Sequence, residues 1–103
     1  MTITIRAVEQ ADLSGWKALY KKYLAHYETE LTEPQLATLW SWFFDSEKQM
    51  YGNVAIHENR IIGLVHFREF LRPINAASAI FMDDLYVENN HRGKGVAEPR
   101  QIN

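Results

Sequence analysis

Between Phe44 and Asn53 the spacing of apolar side chains switches from a helical to a strand period, and that switch constrains the fold more than any other feature. Before it, Leu13, Trp16, Leu19, Tyr20, Tyr23, Leu24 and Tyr27 recur at helical intervals and leave Lys17, Lys21 and Lys22 for solvent. They predict a helix capped by Asp12 whose aromatic stripe enters the core. Thr32-Glu33-Pro34-Gln35 reads as a capping box with proline in the first turn, opening a second helix whose stripe is Leu36, Leu39, Trp40, Phe43 and Phe44. Residues 2–7 alternate, with Ile3 and Ile5 on one face, as a first strand. Beyond the switch come a short strand, Asn53 to His57, a turn at Glu58-Asn59-Arg60, and a longer strand, Ile61 to Phe70, containing Gly63. Leu71 to Ala77 is a loop, because Pro73 cannot donate to a ladder. Ser78 to Val87 is apolar on both faces apart from two carboxylates, and is expected to be central. The order β-α-α-β-β-β predicts an α+β fold with a mixed, mostly antiparallel sheet and helices packed on it.

Composition narrows the function classes. The 103 residues are 47% hydrophobic and 13% aromatic, enough for a single core built on large rings and too apolar for disorder. A net charge of −2 supplies no basic footprint for nucleic acid. Without cysteine there are no disulfides, thiol nucleophiles or thiolate metal sites. No run reaches a membrane span and Met1 to Arg6 lacks a signal-peptide core, so the expectation is a cytoplasmic chain without a membrane partner. His26, His57, His66 and His91 have no ligand spacing, and no metal is expected. His57 and His66 are read as surface or half-buried packing, and His91 as a stacking or capping group. Ser14, Ser41, Ser46 and Ser78 lack the context of a nucleophile elbow. Glu28, Glu30 and Glu33 form a solvated cluster at the helix ends, with an amine pocket near Tyr27, Glu28 and Glu30 as the alternative.

The chemistry concentrates between Met82 and Ala97. The strand carries Asp83 and Asp84 and continues through Leu85, Tyr86 and Val87; a turn leads to Arg92-Gly93-Lys94-Gly95-Val96-Ala97, opening a helix. Gly93 and Gly95 let the backbone expose successive N–H groups at a helix start, which is a cradle for phosphate or pyrophosphate. The spacing of a nucleoside-triphosphate loop is absent, and a dinucleotide fingerprint requires a third glycine where Glu98 stands. Adjacent strand residues face opposite sides, so at most one of Asp83 and Asp84 is expected in a cleft; Asp84 is grouped with Met82 and Tyr86, and Asp83 with Phe81 and Leu85.

The pattern Arg-x-x-Gly-x-Gly/Ala, met here as Arg92 to Ala97, resembles the coenzyme-A pyrophosphate loop of the GNAT superfamily of N-acetyltransferases. The upstream order matches the N-terminal half of that fold over residues 2–98, and Asp-Asp-Leu-Tyr-Val looks most like the branch acting on polyamines and other small amines. The resemblance implies acetyl-CoA as cofactor, with its pyrophosphate on the amides of Gly93 through Ala97 and Arg92 beginning the loop. It also implies that the main chain of Leu85, Tyr86 and Val87 pairs with the pantetheine arm, one amide polarising the thioester carbonyl. The reaction it implies is direct attack by a primary amine, with Asp83 or Asp84 as general base and the other carboxylate structural. Residues 1–103 then form one partial acyl-CoA N-acyltransferase domain, with the pyrophosphate loop at 92–98 and an atypical tail at 99–103. Pro99 to Asn103 depart from the long amphipathic helix of the family. The expectation is a truncated acetyltransferase, or a natural short form completing its sheet with another copy. Either leaves the strand 78–87 with an exposed edge that predicts a homodimer. The alternative function is a non-catalytic acyl-CoA-binding or oligomerisation remnant.

Overall fold

The computed structural model describes residues 2–88. Strand β1 (Thr4–Ala7) leads through a short 3-10 turn (Gln10–Asp12) into helix α1 (Leu13–His26) and then helix α2 (Glu33–Trp42). Strands β2 (Met50–His57), β3 (Arg60–Arg72) and β4 (Ala77–Val87) follow. The four strands lie in the order β1-β2-β3-β4, each pair antiparallel. The chain is therefore α+β with two helices and an antiparallel sheet, as the period switch predicts.

Local chemistry sets the boundaries. Thr32 and Gln35 form the reciprocal capping box: Gln35 N–H donates to Thr32 Oγ1 at 3.2 Å, and Thr32 N–H to Gln35 Oε1 at 2.8 Å. Asp12 does precede α1, but its side chain caps no α1 amide. Instead it accepts from Glu9 N–H at 2.8 Å and from both terminal nitrogens of Arg6 at 2.7 and 3.1 Å, tying the end of β1 to the helix. Those Arg6 bonds hold the Asp12 carboxyl below the usual carboxylate range despite its burial. Glu58 and Asn59 both adopt positive φ, 50° and 62°, so the β2–β3 connection is a two-residue turn of the mirror-image type.

The expected loop over 71–77 shrinks to Pro73–Asn75 and a left-handed Ala76 at φ 52°, because Leu71 and Arg72 still pair with Ser78 and Ala77. β3 thus outruns β2: pairing with β2 ends at Arg68, while pairing with β4 continues to Arg72. β4 is not central but ends the strand order of the described residues. Its doubly apolar sequence consequently leaves Ile80 and Phe81 exposed.

One face of the sheet carries both helices. Trp16, Leu19, Tyr20 and Leu24 of α1, Leu36 and Trp40 of α2, and Val8, Val54 and Leu64 from the sheet side form one buried cluster. Trp16 is fully buried, 5.4 Å from the ring of Tyr20 and 4.8 Å from that of Trp40. The aromatic stripe does not stay in the core to its end, since Tyr27 caps α1 and is exposed. Phe44 likewise lies beyond α2 and is exposed. The other face holds a small cluster of Ala55, Ile62 and Val87, with Ile3 packed on it.

Candidate active site

The site forms where α1 and α2 approach β4. Opposite His66 and Phe67, β4 inserts one extra residue: His66 pairs with Asp84 and Phe67 with Met82, leaving Asp83 without a counterpart in β3. Such a β-bulge interrupts the alternation of side chains. Cross-strand partners share a face, and His66 and Arg68 are two residues apart, so their partners Asp84 and Phe81 lie on the same face. The expected groupings of Asp84 with Met82 and of Asp83 with Leu85 therefore fail. So does the expectation that at most one carboxylate reaches a cleft: Asp83 and Asp84 both line a cleft of about 580 Å³. Its other walls are Tyr20 of α1, Pro34, Leu39 and Trp42 of α2, Leu31 between the helices, and Met50 of β2. It is an apolar trough with two carboxylates along one side.

The two carboxylates differ in their partners. Asp83 Oδ2 lies 3.3 Å from Arg68 Nε, and the Arg68 guanidinium sits 4.9 Å over the ring of Phe81. Asp84 belongs to a buried network. Its Oδ2 accepts from Tyr20 Oη at 3.2 Å and lies 2.9 Å from His66 Nδ1. Burial pushes the Asp84 carboxyl up, but hydrogen bonds from His66, Tyr23 and Tyr20 outweigh it and hold the group below the usual carboxylate range. The Tyr20 and Tyr23 hydroxyls are raised well above the ordinary phenol value, by burial first and by the Asp84 charge and hydrogen bond after it. Both therefore remain donors at neutral pH.

His66 is the residue that sequence reasoning missed. It is not a surface or half-buried packing group: only 1% of it is exposed. Its Nε2 accepts from Trp16 Nε1 at 2.9 Å. The available signal was positional, since alternation places His66 on the inward face with Leu64, where a polar ring requires partners. His57 agrees with its expected half-buried setting, with Nδ1 3.0 Å from the Thr2 carbonyl oxygen.

Leu85, Tyr86 and Val87 complete β4; Tyr86 packs edge-on against Tyr23 at 5.9 Å, and Val87 is buried. Arg92, Gly93, Lys94, Gly95, Val96 and Ala97, with His91, lie outside the described residues. Among the described residues no group of three or more His, Cys, Asp or Glu side chains is arranged to hold a metal. None of their helices is long and apolar enough to cross a membrane.

The fold is a two-helix layer on one face of an antiparallel sheet, with a cleft beside its last described strand. Residues 16–98 match the Acetyltransferase (GNAT) family, and the chain belongs to that family. It is 28% identical over 96 residues to the D-amino-acid N-acetyltransferase HPA3 of Saccharomyces cerevisiae, a match covering 91% of this chain and 60% of that protein. The chain thus spans about three-fifths of that relative. A ribosomal-protein-alanine N-acetyltransferase from Brucella melitensis biovar Abortus 2308 has the same fold, with a TM-score of 0.76 and 22% identity over 99% of this chain and 67% of that one. A predicted acetyltransferase from Clostridium acetobutylicum, solved with acetyl-CoA, superposes with a TM-score of 0.72 at 18% identity, covering 92% of this chain and 66% of that one.

Proposed function

We propose that the chain transfers acetyl from acetyl-CoA to a primary amine by direct attack on the thioester. The acceptor is a polyamine, a lysine-like amine or another small amine. The observation that carries this reading is the pair of carboxylates brought to one cleft by the bulge. Family membership supports acetyl-CoA as the donor. In this proposal an extended pantetheine arm lies along Leu85, Tyr86 and Val87 at the end of β4. Arg92 and the amides of Gly93, Lys94, Gly95, Val96 and Ala97 take the pyrophosphate in this proposal. When bound, acetyl-CoA supplies an activated acyl carbon.

The residues of the chain manage the amine. An ammonium has no lone pair and must lose a proton before it attacks. Asp84, ionised and held by fixed donors, orients the ammonium. Asp83, on the bulge, accepts its proton directly or through water. The apolar walls at Leu39, Trp42 and Met50 take the carbon chain of the acceptor and exclude water around the nitrogen. The C–N bond forms as the C–S bond breaks, leaving an amide and a coenzyme-A thiolate that takes up a proton.

Thiol release from acetyl-CoA, measured across a panel of spermidine, lysine and simple alkylamines, tests the reading. Activity that falls in Asp83→Asn chiefly through kcat, and in Asp84→Asn chiefly through the amine KM, is the expected result. Calorimetric binding of acetyl-CoA without thiol release from any amine would overturn catalysis and leave a non-catalytic acyl-CoA-binding or oligomerisation module. The proposal includes a cytoplasmic setting, checked by fractionation. It also includes a homodimer through the β4 edge near residues 78–87, where Ile80 and Phe81 are exposed. A sedimentation mass of one chain at high concentration would refute the dimer.

A further inference from the structure

The polar line from α1 to the cleft runs Trp16, His66, Asp84, Tyr20, and its chemistry allows one protonation state. An indole N–H is a donor only. Trp16 Nε1 lies 2.9 Å from His66 Nε2, so Nε2 must present a lone pair. The ring proton then sits on Nδ1 and is donated to Asp84 Oδ2 at 2.9 Å. An imidazolium would set two N–H groups against each other at the Trp16 contact, in surroundings where His66 is almost wholly enclosed. The rings of Tyr20 and Phe43 flank the imidazole at 4.7 and 4.9 Å and fix its plane. The ring therefore has no route by which to pass a proton onward. We infer that His66, locked by Trp16 as the neutral Nδ1–H tautomer, is a positioning residue that holds Asp84 ionised and aimed into the cleft, and is not a proton carrier.

This inference rests on the reading that the cleft takes the amine, and it adds to that reading which group sets the aim of its anchor. The charged and titratable groups around Asp84 come from each element packed on it. They are Tyr20 and Tyr23 from α1, His66 from β3, and Asp83 from β4, with Arg68 of β3 behind Asp83. From α2 the cleft receives Gln35 and Thr38, which carry no charge. Removing the His66 donor leaves Asp84 beside Asp83 with the phenols alone. The carboxyl must then rise, and the acid limb of kcat/KM for the amine must move to higher pH.

Three measurements on the full chain test this. Nitrogen-15 NMR of the His66 ring should show the neutral Nδ1–H tautomer at neutral pH. The carbon-13 titration of the Asp84 carboxyl should move upward in His66→Phe and return toward the native position in His66→Asn, whose side-chain amide can place an N–H near Nδ1. In kinetics, His66→Phe should raise the amine KM about tenfold or more while leaving the acetyl-CoA KM unchanged, as loss of a charge-assisted hydrogen bond implies. His66→Asn should recover most of that loss. A ring protonated or carrying Nε2–H at neutral pH overturns the inference. So does a folded His66→Phe whose Asp84 titration is unmoved. If the native chain transfers no acetyl group, the proposed activity fails, and the two NMR measurements still decide the role of His66.

Discussion

Replacing Trp16 by Phe separates packing from polar satisfaction, because the indole does both. The ring is fully buried and meets Tyr20, Trp40, Phe43 and His66, while its N–H is the partner of His66 Nε2. Phe retains most of the ring contacts. It leaves a buried imidazole nitrogen without a donor, at about 1–3 kcal/mol. The lost ring volume adds about 1 kcal/mol where the site does not collapse. The sum, about 2–4 kcal/mol, is a large share of a stability of roughly 5–15 kcal/mol. His66→Phe by itself strands the indole N–H in the same way. The double variant Trp16→Phe/His66→Phe strands neither group, so its destabilisation should fall short of the sum of the singles by about 1–2 kcal/mol. Urea unfolding followed by circular dichroism at neutral pH measures all three differences. Additivity within about 0.5 kcal/mol would refute the argument that the contact is a buried, mutually satisfying bond.

The remaining expectations concern single sites. Thr32→Ala removes one half of the α2 capping box and should lower stability by about 1 kcal/mol, seen in the same denaturation assay. Ala76→Gly should raise stability by roughly 0.5 kcal/mol, because relief of a left-handed alanine slightly exceeds the added chain entropy of glycine; an unchanged urea midpoint would contradict it. Asp12 and Asp84 both have folded values below the unfolded one near ~3.9. Their stabilisation is therefore present above that unfolded value and is lost as pH falls through the folded values. Asp12→Asn should lower the thermal midpoint at pH 7 and flatten its decline between pH ~5 and ~2, a comparison that scanning calorimetry makes directly.

How much of this was legible in the sequence depends on the range of the interaction. The helices were readable because Leu13 to Leu24 and Leu36 to Trp40 follow one local period, and the cap at Thr32 is contained within four residues. The hairpin turn at Glu58 and Asn59 is equally local. What failed was non-local. The pairing that carries Leu71 and Arg72 onward depends on Ser78 and Ala77, and it overrode the loop signal at Pro73. The bulge is a mismatch between two strands, invisible in either one alone, and it reversed the expected exclusion of one aspartate from the cleft. His66 draws its partners from positions 50 residues upstream and 18 downstream, so no window around it announces the network.

The four-residue stretch of β3 beyond its last paired position with β2 makes a two-stranded ribbon that overhangs the body of the sheet. Phe70, Leu71, Ile74 and Ile80 on it are exposed, and no third strand of the described residues braces it. A ribbon of that kind frays more readily than the sheet it grows from. Amides from 70 to 79 should therefore exchange with deuterium far sooner than those of Leu64 or Val65. The boundary between the two regimes falls after Arg68, the last residue of β3 paired on both sides.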